Sequence, residues 1–163
     1  TMQPIAKALD MKPTVWTDIF EVGGIYETLA IGLGGMTKSE LSREFPSYII
    51  PDGTVTEDGW YNAAQGKETK EMGRARVDRV YKRLRQEAMD AKGDRTIALV
   101  VHGDFISFLI QAAWGIEGIE RLFPCWNACI SVMDINNKGE PKLLMHNAAS
   151  HLSVVKTHAL GKC

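Results

Sequence analysis

His102 is the residue of this chain best placed to do chemistry. It closes the apolar run 97–101 and is followed at once by Gly103, Asp104 and a stretch whose apolar positions recur at helical spacing as far as Trp114. A short apolar run, a glycine and an amphipathic run predict a buried strand, a tight turn and a helix. The histidine then stands at the carboxyl end of a parallel strand, where open α/β sheets bind ligands. Backbone N–H groups at the helix start favour an anion there, and Gly103 lets the backbone approach it closely. The pattern therefore predicts a phosphate-handling histidine, with Gly103 and Asp104 at the donor end of the helix. The plainer alternative is a histidine that closes a strand and bonds a carbonyl.

Glu21 is the second candidate. It lies in Phe20-Glu-Val-Gly-Gly-Ile-Tyr26, a carboxylate beside paired glycines and aromatic residues. Such a group can serve as a general acid, and the competing reading is a solvated loop acid. Asn127 follows Pro124-Cys-Trp126 and is either a polar anchor near the strand ends or a turn cap. Arg74 and Arg76 are phosphate-ligand types, but they sit in a highly charged helical stretch and read as a solvated face. His146, His151 and His158 have no partner that spacing reveals. Cys125 and Cys129 lack a second Cys or His pair at zinc-like spacing, so they read as part-buried thiols and no metal is expected.

These residues need elements to hold them. A short helix is expected from Met2 to Leu9, with Ile5, Ala6 and Leu9 on one face, and Pro13 stops it. Thr14-Val-Trp16 suits an extended piece. The glycine-rich stretch 19–36 reads as a structured loop, and 51–66 as another irregular one. Between them, Thr37-Lys-Ser-Glu40 fits a capping box, in which hydroxyl and carboxylate each satisfy an orphan N–H. The longest helix is expected over about 67–92, with an apolar stripe of Val77, Val80, Tyr81, Leu84 and Ala88. After the strand and helix around His102, residues 128–135 alternate through Ile130, Val132, Met133 and Ile135. Asn136-Asn-Lys-Gly139 is then a turn, and 142–145 the returning strand of a β-hairpin.

Helix, strand, helix and hairpin make an α/β protein, a three-layer-type sandwich with a mostly parallel mixed sheet. A length of 163 residues predicts a single domain. With 45% hydrophobic and 24% charged residues, the composition is that of a globular protein. A formal net charge of −1 argues against a nucleic-acid partner. No apolar run reaches a membrane span, and the start shows no basic region followed by an apolar core. Three cysteines, few and odd in number, fit a reducing compartment and a cytoplasmic protein.

Taken together, the order of motifs resembles the histidine phosphatase superfamily, which includes the cofactor-dependent phosphoglycerate mutases and related phosphatases. Thr1-Met-Gln-Pro-Ile-Ala6 is similar to the family's helix after its first catalytic turn. Glu21 with Gly23-Gly24 resembles its acidic motif, and Arg74-Ala-Arg76 its long helix. Leu99-Val-Val-His-Gly103 resembles the second-histidine motif, and Asn127-Ala-Cys-Ile-Ser131 with 147–152 the closing hairpin and tail. The resemblance implies a phosphate ester as substrate, small molecule or phosphoprotein, and chemistry without a cofactor. His102 corresponds to the second histidine, and Glu21 to the carboxylate that protonates the leaving oxygen.

Half of the family's site has no counterpart here. The sequence contains no Arg-His-Gly, the motif of the attacking histidine, and the other phosphate arginine would fall immediately before Thr1. The chain therefore reads as truncated at its N-terminus. A charge-assisted hydrogen bond is worth about 1.5–3 kcal/mol, so the loss of two arginines costs roughly 3–6 kcal/mol of phosphate binding. Without a nucleophile, covalent catalysis has no starting point. Two expectations follow: a chain inactive as given, and an unpaired apolar edge at 97–101 that invites self-association. The alternative function is a non-catalytic phosphate-binding or scaffold protein that kept the fold.

Overall fold

The computed structural model describes residues 1–152; His158 and Cys163 lie outside them. The chain divides into two compact units, Thr1–Lys70 and Glu71–Cys163.

In the first unit α1 (Met2–Ala8) buries only Ala6, while Ile5 and Leu9 of the expected apolar face stay exposed. Its neighbour in sequence pairs in parallel with a distant segment. Val15 N–H donates to Ile49 O at 2.8 Å, and Ile49 N–H to Pro13 O at 2.8 Å. This single bridge, Thr14 to Ile49, is the extended piece expected at Thr14. Helix α2 (Lys38–Glu44) opens on the capping box read from the sequence. Glu40 N–H donates to Thr37 Oγ1 at 3.1 Å, and Thr37 N–H to Glu40 Oε2 at 2.9 Å.

The two irregular loops of this unit pack directly on each other. Trp60 and Tyr61 N–H both donate to Gly34 O at 2.9 Å. Contact this close requires glycine on both sides. A Cβ on Gly34 would collide with Asp58 O, and one on Gly59 with Gly34 O. The rings of Phe20, Trp60 and Tyr61 fill the space beside this seam, with Phe20 edge-on to Tyr61 at 5.4 Å between centroids.

Helix α3 (Lys70–Asp90), which belongs to the second unit from Glu71 onward, is slightly shorter than expected at both ends. Its buried residues are Gly73, Arg76, Val77, Val80 and Tyr81. Helix α4 (Gly103–Ala113) buries Phe105, Phe108 and Ile110, and these residues with α3's valines form the apolar core. The hairpin consists of β1 (Ile130–Ile135) and β2 (Pro141–Ala148), paired antiparallel from Ile130–Ala148 to Ile135–Pro141 with two register breaks. Asn136 shapes its turn by accepting the N–H groups of Lys138 and Glu140 on Oδ1, and Gly139 sits at φ +75°. Strand period decides which apolar residues of β1 turn inward: Met133 and Ile135 do, whereas Ile130 and Val132 face out.

The sheet departs from expectation. Among the described residues the only sheet is this two-stranded antiparallel hairpin, and the run 97–101 pairs with no strand. Ile97 and Val100 are exposed at 42% and 36%. An apolar run is a local property of the sequence. A ladder needs a second segment, and local pattern does not supply one. Among the described residues no helix is long and apolar enough to cross a membrane.

Candidate functional site

Helix α4 places His102. The histidine is its N-cap residue, with extended backbone (φ −115°, ψ 168°), and its carbonyl accepts the N–H of Ile106 at 3.0 Å. The imidazole is exposed, does not cap the helix, and makes no hydrogen bond among the described residues. It is thus a ring free to meet a ligand, beside the positive end of an eleven-residue helix. Gly103, the first helical residue, is buried.

Asp104, in the first turn of α4, has a partner of its own. Its side chain is engaged by Arg121, whose Nε donates to Oδ1 at 3.1 Å. What Asp104 can offer an anion is its place in the first turn, not its carboxylate. Asn127 lies exposed in the loop before β1, between Trp126 and the left-handed Ala128 (φ +56°). That loop is pinned close by: Trp126 N–H donates to Asn147 Oδ1 at 2.7 Å.

Glu21 belongs to the first unit and is part-buried. Its Oε1 accepts the N–H of Val22 at 2.8 Å, and its carbonyl accepts Gly24 N–H at 3.1 Å. Gly23 and Gly24, at φ +113° and +72°, make this turn. Gly23 N–H donates in turn to Glu68 Oε2 at 3.2 Å. Glu68 is only 4% exposed. Nothing in the sequence marked it, since an acid just ahead of a charged helix looks like any solvated one.

The two arginines of α3 correct the solvated-face reading. Arg76 is 4% exposed, and its guanidinium lies 5.7 Å from the centre of the Phe105 ring. The available signal was spacing: positions 73, 76, 77, 80 and 81 fall on one helical stripe. Arg74 stacks over Phe108 at 4.0 Å. It donates from Nη1 to Gln111 Oε1 at 3.0 Å and from Nη2 to Ile119 O at 2.6 Å.

His146 also has partners that spacing did not reveal. Nε2 lies 3.1 Å from Pro124 O, which can only accept, so that nitrogen carries the proton. Nδ1 lies 3.1 Å from Ser131 Oγ. Cys125 and Cys129 are half-buried, and among the described residues no group of three His, Cys, Asp or Glu side chains is arranged to hold a metal ion.

An exposed histidine at the N-cap of α4, with an apolar run before it and a glycine after it, is a geometry that suits an anion. The comparison with known families narrows it. The family model of the histidine phosphatase superfamily (branch 1) matches residues 1–149, and the chain belongs to that superfamily. No curated protein and no solved structure matches it significantly.

Proposed function

We propose that the chain carries the second-histidine part of a histidine-phosphatase-type site that takes a phosphate ester, on a small molecule or a protein. The single observation behind this reading is His102, with its ring unoccupied at the start of α4. Its imidazole contacts the phosphoryl oxygens, and the first N–H groups of the helix, from Gly103 and Asp104, share the negative charge. Asn127 is a polar anchor for the ester, and the part of the acid falls to Glu21 by the family resemblance alone. The chain is read as one domain of a cytoplasmic protein, with run 97–101 leading into the site at His102. Because the 163 residues contain no Arg-His-Gly, this polypeptide by itself binds phosphate without transferring it.

The test is a titration with inorganic phosphate, following the ring nitrogens of His102 by NMR, and a turnover assay with nitrophenyl phosphate. Phosphate is expected to shift the His102 signals saturably and His102→Ala to abolish binding, with no nitrophenol released. A His102 ring indifferent to phosphate would sink the site. Turnover lost in His102→Ala would overturn the claim of inactivity.

A further inference from the structure

The segment between α4 and β1 has no regular structure, yet a chain of polar contacts holds it at successive points. Arg74 begins the chain. Its guanidinium fork takes Gln111 Oε1 on α4 and the carbonyl of Ile119 in the segment, while its flat face covers Phe108. Gln111 Nε2 donates to Ser107 Oγ at 3.0 Å, and Ser107 Oγ accepts the N–H of Phe123 at 3.2 Å. Gln111 and Ser107 are each 1% exposed. Buried, mutually satisfied polar groups of this kind fix one arrangement, because any other leaves a donor unpaired.

Beyond Phe123 the hold passes to β2. His146 donates from Nε2 to Pro124 O, and Asn147 Oδ1 accepts Trp126 N–H. The residue that follows is Asn127. The same α4 that anchors the segment through Ser107 and Gln111 carries His102 at its first turn.

We propose that Arg74 is a positioning residue for the phosphate site: by clamping the backbone at Ile119 and orienting Gln111, it sets segment 119–127 on α4. The inference rests on the phosphate-binding reading of His102. Both planar edges and the face of the guanidinium serve this purpose. A lysine, with a single ammonium, does not reproduce a fork that spans two acceptors.

The experiment uses the full chain and three variants, Arg74→Met, Arg74→Lys and, as control, Arg83→Met, which removes an exposed arginine paired with Glu87 on the same helix. Amide hydrogen exchange at Phe123 and Trp126 reports the segment, and inorganic phosphate titrated against the His102 ring reports the site. Arg74→Met is expected to speed exchange at both amides and weaken phosphate about tenfold, the effect of one charge-assisted contact. Arg74→Lys is expected to fall between it and the parent, and carries the test if Arg74→Met does not fold. Arg83→Met is expected to change neither readout.

Unchanged exchange in the Arg74 variants overturns the proposal, as does faster exchange with phosphate affinity within about twofold of the parent. A parent whose His102 ring ignores phosphate overturns the functional reading itself, and this inference with it. A parent that binds while the variants match it overturns this inference alone.

Discussion

Arg121 Nε donates to Asp104 Oδ1 at 3.1 Å, so the acid two residues beyond His102 is already paired before any ligand arrives. Arg121 makes this bond from a left-handed backbone conformation, φ +45°, which a non-glycine residue adopts only at a cost. The pair links the first turn of α4 to the segment ahead of β1. It also neutralises a negative charge where an anion is proposed to bind.

Asp104→Asn is therefore expected to tighten phosphate a few-fold at low salt, by removing a like charge and releasing Arg121, with the gain shrinking as salt is raised. Stability should change little, because the pair is 67% exposed on the arginine side and 30% on the aspartate side, and such pairs are worth about 0–1 kcal/mol. Phosphate titrations of the variant at two ionic strengths check this. Weaker binding in the variant would mean that the carboxylate helps the site.

The glycine seam of the first unit makes a graded prediction. Gly59→Ala places a Cβ against Gly34 O and forces φ +104° on an alanine, so steric crowding and left-handed strain together should cost about 2–5 kcal/mol. Gly53→Ala meets open space at φ +74° and should cost only the strain, about 1–2 kcal/mol. Gly93, with open space and no positive φ, should tolerate alanine, with a gain of about 0.4–1 kcal/mol. Urea unfolding of the three variants gives the order. A Gly59→Ala protein as stable as Gly53→Ala would show that the loops can separate freely.

Local signals were the legible ones. Thr37 and Glu40 define their own cap, Asn136 and Gly139 their own turn, and the periodic stripe of α3 its own helix. Each of these depends on residues a few positions apart. The start of α4 right after His102 was legible for the same reason, as a glycine and a periodic apolar run in immediate succession. What stayed hidden depends on distant partners. Asp104 meets its partner Arg121 across 17 residues, and Glu68 meets Gly23 N–H across 45. Run 97–101 looked like a strand because apolar composition carries no record of a neighbour. Arg76 is the instructive case, since its charge suggested solvent while its place between Gly73 and Val80 on the stripe pointed inward.

Tyr81 gives a prediction at alkaline pH. Burial raises its phenol above the ordinary value of 10.0, with the Arg85 charge pulling weakly the other way. The folded state therefore holds its proton where the unfolded chain releases it. The stabilising contribution is complete below about pH 10 and is lost as pH rises through the raised folded value. Stability should fall with rising pH in that window, and Tyr81→Phe should flatten the slope after the remaining tyrosines are accounted for. Denaturant midpoints measured across the alkaline range check this. An equal slope in Tyr81→Phe would refute it.

The proposed self-association has a defined surface to act through. Ile97 and Val100 are exposed in a run with no ladder partner among the described residues. In the same unit Ile130 and Val132 on β1, and Leu144 on β2, also face solvent, Leu144 at 55%. Unpaired apolar backbone of this kind is a template for strand addition, and charge on such an edge suppresses it. Light scattering of the chain should therefore show mass rising with concentration. Val100→Lys should return it towards a monomer, whereas Leu9→Lys, at an exposed position of the first unit, should not. A monodisperse monomer at high micromolar concentration would leave the run 97–101 without a role in assembly, and equal effects of the two lysine variants would assign association to general surface apolarity instead of this run.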